Sequence, residues 1–277
     1  MTIKLGAHVS IAGGYTKAVR KIHNIGGNCL QMFASSPRGW NFVKLDEVQN
    51  IEFKELKTKL LISSVFFHAS YLINLADEGK IGHLSKLSLI KELETASKLD
   101  IIGSIIHLGS FKGNKTNEKY QTLINHIKEI LDKTPTDSLF IIENAGNKKI
   151  GQSIEEIAMI VGDVDNDRVK VCLDTCHLFS AGYDIQSDKK LDVFLHDFDQ
   201  QIGLNNIAVW HLNDSKDPYK SFRDRHENIG TGTIGLDTFR LLLNHEKLKK
   251  IPFIIETPGF DGNGPDKRNL DILKGLI

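Results

Sequence analysis

The amino-acid sequence predicts an α/β fold, a (β/α)8 TIM barrel formed by residues 1–277 as a single domain. Three observations predict it. Short β-rich apolar runs recur eight times, amphipathic stretches with helical spacing lie between them, and no Pro/Gly/Ser-rich linker interrupts the series. Strands alternating with helices argue for a parallel sheet, and eight such units argue for its closure. An open, doubly wound sheet is the competing pattern. The chain of 277 residues fits two average domains or one large α/β domain, and barrels of this class run to about 250 residues.

The first run is "IKLGAHVS" (3–10), and the glycines of "AGG" (12–14) after it suit a turn or a close backbone approach. No Gly-x-Gly-x-x-Gly opens a helix there, so a nucleotide loop is not indicated. The second and third runs are "CLQMFA" (29–34) and "SVFFHA" (64–69), with "HLSKLSLIKELETASKL" (83–99) spaced as a helix after them. The fourth, "SIIHLG" (104–109), precedes a second helical stretch, "NEKYQTLINHIKEILD" (117–132). "LFIIEN" (139–144), "VKVCLDT" (169–175), "IAVWHLN" (207–213) and "PFIIETP" (252–258) complete the eight.

A barrel of this kind carries its chemistry at the C-terminal ends of its strands. From the third strand to the eighth those ends read His68, His107, Glu143, Asp174, His211 and Glu256. The chain has 11 histidines and 35 acidic residues in 277, so six such ends in succession exceed what composition supplies. Two residues before each stand Phe66, Ile105, Ile141, Cys172, Val209 and Ile254. With a strand period of two, they form an apolar layer beneath a ring of ligand-type side chains. His177 follows Asp174 by three residues, a spacing at which a loop imidazole can converge on a strand-end carboxylate. Asp224 and His226, two apart in "SFRDRHENIGTG", point the same way if extended. Five imidazoles and four carboxylates suit zinc or a related divalent ion such as manganese, and exceed one tetrahedral site.

Cys172 points into the barrel, where a free thiol packs as a small apolar residue, and Cys176 lacks a Cys-x-x-Cys partner in a strand-to-loop turn. The expected working pair is therefore Asp174 and His177. His8, at the end of the first strand, is expected behind the ligands or in packing. His23, His83, His126, His196 and His245 fall in helices or at their ends and are expected to be solvated.

Composition narrows the classes further. Hydrophobic content of 40% and charged content of 25% describe a soluble globular chain. No run is apolar enough to span a membrane, and the opening "MTIKLGAHVS" has no signal-peptide plan. Three irregularly spaced cysteines form no disulfide framework, so a reducing cytoplasm is expected. Lys+Arg and Asp+Glu both total 35, so contact with nucleic acid must come from local patches.

"GAHVSIAGG" (6–14), "HASYLINLA" (68–76), "LDTCHLFSAGYD" (173–184), "HLNDSK" (211–216) and "DRHENIGTGTIG" (224–235) resemble the motifs of the endonuclease IV family. These are zinc-dependent apurinic/apyrimidinic endonucleases of base-excision DNA repair. The resemblance runs from residue 6 to "IIETP" at 254–258. It implies a xylose-isomerase-like barrel holding three zinc ions, with manganese an option at one site. Glu143 would bridge two metals, and His68 and His107 would serve one site. Asp174, His177, His211, Asp224, His226 and Glu256 would serve the others.

The implied reaction is hydrolysis of the phosphodiester 5′ to an abasic site in double-stranded DNA, leaving a 3′-hydroxyl and a 5′-deoxyribose phosphate. Glu143 would orient the attacking hydroxide or accept its proton. Loops on the ligand face supply basic residues beside apolar ones: Arg38 with Trp40, Tyr71 with Leu72, Phe222 with Arg225. Arg38 and Tyr71 match positions that contact DNA in the family, and either could fill the gap left by a flipped nucleotide. No obligatory protein partner is implied, and a monomer is expected.

Two stretches depart from the family. The chain reads "ENAGNKKIGQS" at 143–153 where the family usually has "ENTAGQG", and "HLGSFKG" at 107–113 lacks a further histidine. Neither removes a ligand. A metal-dependent sugar isomerase or epimerase on the same barrel would need only Glu143, Asp174, His211 and Glu256, leaving the other five donors without work. A catalytically impaired abasic-site binder would require the altered loop to spoil the geometry.

Overall fold

The structure, a computed structural model, describes residues 3–40 and 46–277. Its strands are β1 (Leu5–His8), β2 (Cys29–Phe33), β3 (Ser64–His68), β4 (Gly103–Ile106), β5 (Leu139–Glu143), β6 (Val169–Asp174) and β7 (Ile207–His211), then a short pair, β8 (Asp214–Ser215) and β9 (His226–Glu227), and finally β10 (Phe253–Ile255). The first seven and β10 close into a parallel barrel, with Leu5 of β1 opposite Phe253 of β10. β8 and β9 form a separate antiparallel ribbon in the loop after β7.

All eight predicted barrel strands are present, each shorter than its apolar run. The runs overshoot because the residues past each strand end turn into the loops of the barrel mouth. His107 and Glu256 accordingly sit one residue beyond β4 and β10.

The helices are α1 (Tyr15–Asn24), α2 (Glu47–Lys59), α3 (Lys80–Lys98), α4 (Asn117–Asp132), α5 (Ile154–Val164), α6 (Thr175–Ala181), α7 (Asp188–Gln201), α8 (Leu236–Asn244) and α9 (Lys267–Lys274). α4 shows why they form. The Thr116 hydroxyl accepts the amide of Lys119 at 3.3 Å, capping the first turn. Leu123, Ile124, Ile127, Ile130 and Leu131 then repeat at helical spacing and are buried against the sheet.

The sixth unit carries two helices, α6 and α7, where one was expected. α6 starts directly at the end of β6 because the Asp174 carboxylate accepts the backbone N–H of His177 at 2.9 Å. His177 and Cys176 therefore lie in the first turn of a helix, which corrects their placement in a loop and a turn.

The barrel interior is filled by Cys29, Phe66, Ile105, Ile141, Cys172, Val209 and Ile254. Six of these are the residues that the two-residue period put beneath the ligand ring, and β2 adds Cys29. β1 contributes no side chain at this level, since a Cβ on Gly6 would lie 1.9 Å from the Cys29 carbonyl oxygen. Burying one large apolar side chain here stabilises the fold by about 1.5–3 kcal/mol, so the layer is a rigid floor for the polar mouth.

Between the sheet and α3, Glu92 is buried and hydrogen-bonded to the Ser104 hydroxyl. Burial pushes its carboxyl up to about 7. Among the five histidines expected in solvent, His23, His83 and His196 are exposed. The other two are half-buried, correcting that expectation: His126 Nδ1 lies 2.9 Å from the Leu75 carbonyl, and His245 Nε2 lies 3.1 Å from Asp192.

Candidate metal centre

Nine side chains from six strand ends and their loops converge at the C-terminal mouth. Six of them, His68, His107, His177, Asp224, His226 and Glu256, line a cavity of about 400 Å³. Glu143, Asp174 and His211 are buried beneath it.

Glu143 is central because its two oxygens face different neighbours. Oε2 lies 3.1 Å from His68 Nε2 and 3.3 Å from His107 Nε2. Oε1 lies 3.2 Å from His211 Nδ1 and 3.3 Å from His177 Nδ1. His211 Nδ1 is also 3.4 Å from Glu256 Oε2 and 3.6 Å from Asp174 Oδ2. A third group forms around Asp224, whose Oδ1 is 2.9 Å from His177 Nε2 and 3.5 Å from His226 Nε2. Asp174 Oδ2 reaches this group too, 3.7 Å from His226 Nε2.

These separations fit metal ligands. Four donors placed tetrahedrally at 2.0–2.1 Å from a zinc ion stand about 3.3 Å from one another. The facing Nε2 atoms of His177 and His226 are 3.4 Å apart, a pairing that leaves two lone pairs in opposition unless a cation or shared proton lies between them. His68, His107 and Glu143 could hold one ion. Glu143, Asp174, His211 and Glu256 could hold a second, and Asp174, His177, Asp224 and His226 a third.

The electrostatics agree. Burial alone would raise the carboxyls, but the charges of surrounding imidazoles hold Glu143 and Glu256 well below the usual range and lower Asp174 and Asp224. Burial would likewise lower the imidazoles, yet facing carboxylates raise His68, His177 and His211. Imidazoles and carboxylates thus stabilise one another's charged forms, and a cation would take over that stabilisation of the acids. His107, pushed down to about 4 mainly by burial, keeps a free lone pair at neutral pH. Its buried Nδ1 has no hydrogen-bond partner.

A supporting shell orients the donors. His68 Nδ1 is 2.8 Å from the Ala69 carbonyl and His177 Nδ1 is 2.9 Å from the Asn144 carbonyl. The Asn213 amide donates to Asp174 at 2.6 Å, and its carbonyl accepts the Glu256 backbone N–H at 2.7 Å. Gln31 is fully buried, donating to Glu256 and facing His211 Nε2 at 2.7 Å. His8 Nδ1 lies 2.8 Å from Gln31 and 3.3 Å from Glu256, and His8 also lines the mouth cavity.

Sequence reasoning missed Gln31, Asn144 and Asn213. Gln31 had a signal: it shares the inward parity of Cys29 and is the polar residue in an otherwise apolar strand.

Asp214 explains the glycines of "IGTGTIG". Its carboxylate accepts the backbone N–H groups of Gly230, Gly232 and Ile234 at 2.9–3.0 Å. A Cβ on Gly232 would come within 2.5 Å of Asp214 Oδ1, so close approach requires glycine there. The ribbon pairs Ser215 with His226, which sets the imidazole in the mouth.

Both sulfurs lie nearer the donors than the sequence suggested. Cys172 approaches Glu143 and His211, and Cys176 approaches Asp224 and His226. Burial pushes both thiols up to about 12, so they remain protonated packing groups at neutral pH.

Tyr71 is 70% exposed on the rim, its ring 5.5 Å from Phe33 and 6.5 Å from His68. Leu72 and Arg38 are exposed beside it, and the Ser70 hydroxyl ties the two loops together through the Pro37 carbonyl at 2.8 Å. Trp40, named beside Arg38, packs partly buried against the core. Phe222 is exposed but lines a neighbouring groove. Arg225 is committed elsewhere: its guanidinium grips the Asp217 carboxylate, with Nε at 2.6 Å.

Comparison with known proteins places this geometry. The family profile described as "Xylose isomerase-like TIM barrel" matches residues 19–276. A relative named "Probable endonuclease 4" from Persephonella marina is 36% identical over 279 residues, covering 99% of this chain and 97% of its own. Another of the same name from Halothermothrix orenii is 37% identical, covering 98% and 99%. The crystal structure of endonuclease IV from Thermus thermophilus superposes with a TM-score of 0.87 at 32% identity, covering 99% and 98%. An Escherichia coli 3-keto-D-glucoside 4-epimerase, 12% identical with a TM-score of 0.70, shares the fold alone.

Proposed function

We propose, because this chain belongs to the endonuclease IV family of xylose isomerase-like TIM barrels, that it hydrolyses the phosphodiester 5′ to an abasic site in double-stranded DNA, in base-excision repair. The observation that carries the reading is the convergence of nine N/O donors around Glu143, with each of its oxygens facing a different donor group. Three zinc ions, one replaceable by manganese, are the cofactors this donor set favours.

Bound there, such ions activate water at neutral pH and neutralise charge on the phosphate oxygens. The side chains do the rest. Glu143, whose two oxygens face both donor groups, is the residue we assign to orient the attacking hydroxide or accept its proton. Asn213, Gln31 and Asn144 fix the donor atoms before substrate arrives, so little reorganisation remains for the reaction itself. Tyr71 and Arg38, both exposed at the rim, are the residues we assign as the wedge that fills the gap left by a flipped sugar, a step that costs least where no base must be unpaired. The implied products are a 3′-hydroxyl and a 5′-deoxyribose phosphate.

A metal-dependent epimerase would use Glu143, Asp174, His211 and Glu256 and leave the group around Asp224 idle. No described helix is long and apolar enough to cross a membrane, and a cytoplasmic location is the one we favour.

The test is incubation of the purified protein with a duplex holding one synthetic abasic site, with zinc per chain measured alongside. Incision 5′ to the lesion that a chelator abolishes supports the assignment. Binding without incision, or neither binding nor incision at full metal content, overturns it.

A further inference from the structure

Beside the metal mouth lies a second groove, of about 760 Å³, walled by the segments that follow β4 and β5. Lys112, Lys115, Lys148 and Lys149 line it, and Glu156 is the one acid among its lining residues. That acid is occupied: it accepts from Lys115 at 3.0 Å and from the backbone N–H of Gly151 at 2.9 Å. Lys112 is paired with Asp77 at 2.9 Å. Lys148 and Lys149 are exposed, and the groove offers no second carboxylate to neutralise them. The whole chain has a formal net charge of +0, so this concentration of cations is a local field rather than a share of a general one.

The groove also has an apolar edge. Phe222 is exposed, holds a φ of 54°, and stands two residues before Asp224 of the metal centre. The other walls begin three residues after His107 and five after Glu143. The groove is therefore built on the same loops that carry or follow His107, Glu143 and Asp224. Lys148 and Lys149 fall within the stretch where this chain departs from the usual family pattern.

We infer that this groove seats backbone phosphates of the DNA strand flanking the lesion, with Lys148 and Lys149 as the cations that hold them and Phe222 against the sugar-phosphate edge. The inference rests on the endonuclease reading for its substrate. Two phosphates neutralised on duplex DNA contribute about 1.8 to the slope of log K against log salt. Over a fourfold rise in salt that is roughly a tenfold loss of affinity.

The test compares the metal-loaded wild type with K148A/K149A and K249A/K250A. Lys249 and Lys250 are exposed just ahead of β10, at the opposite end of the barrel, and removing them deletes the same charge. Anisotropy of a labelled undamaged duplex gives affinity from 50 to 200 mM NaCl, and kcat/KM on the abasic duplex is measured over the same range. The expected result is a salt slope lowered by about 1.8 in K148A/K149A alone, so that its affinity deficit against the wild type shrinks roughly tenfold from 50 to 200 mM, with the slope restored in K148R/K149R. An unchanged slope, an equal effect in K249A/K250A, or no salt-dependent binding by the wild type overturns the inference. Failure of the wild type to incise, with the slope effect intact, overturns the endonuclease reading instead and leaves the groove a nucleic-acid site.

Discussion

Asn213→Ala isolates the shell that holds the metal donors without touching a donor. Asn213 is fully buried and makes two bonds across the mouth, one to the Asp174 carboxylate at 2.6 Å and one from the Glu256 backbone N–H at 2.7 Å. A hydrogen bond to a charged group contributes about 1.5–3 kcal/mol, and a stranded buried N–H costs about 1–3 kcal/mol. The metal-free variant should therefore lose about 3–5 kcal/mol, which lowers Tm by roughly 5–9 °C in a chain of this size. Its affinity for the ions nearest Asp174 and Glu256 should fall about 10–100-fold. Differential scanning calorimetry of the metal-free protein reads the first effect, and chelator competition reads the second. A lowered Tm with unchanged metal affinity would refute the orienting role, and an unchanged Tm would refute the hydrogen bonds themselves.

Three further outcomes are expected. Glu143→Gln should lower bound metal per chain and slow incision about a thousandfold or more, because it removes both the shared charge and the proton acceptor; full metal content with a normal rate would contradict the central position of Glu143. Glu92, raised from 4.5 to about 7 by burial, binds its proton more tightly folded than unfolded, so stability should fall by about 3 kcal/mol as pH rises from about 4.5 to above 7. Glu92→Gln should remove that slope from metal-free denaturation curves. Gly232→Ala should destabilise the fold by about 3 kcal/mol and weaken the site containing Asp224 and His226, since the new Cβ displaces the Asp214 carboxylate from its amides; a variant with native melting and native metal content would show the loop to be more yielding than its packing implies.

The barrel and its ring of donors were legible because both are written in short-range order. A period of two placed Phe66 and His68, or Ile141 and Glu143, on one face of a strand without knowledge of any neighbour. Register across the sheet then followed from burying that apolar layer, and the donors rose together above it. The paired lysines of the 143–153 stretch were visible as residues, but the concavity they line was not.

What stayed hidden depends on partners far apart in the chain. Asn213 meets Asp174 across 39 positions and Gln31 meets Glu256 across 225, and no local pattern reports such bonds. Arg225 read as a free cation until the folded loop brought Asp217 against it. α6 is a seven-residue helix, too short to hold by propensity, and it exists because the end of β6 supplies its cap. The sequence alone determined which residues face the mouth, since side-chain alternation is a property of each strand by itself. Only the tertiary structure decided which donors share an ion-sized space and which cations stay free, because those are distances between segments, and closure of the barrel is what sets them.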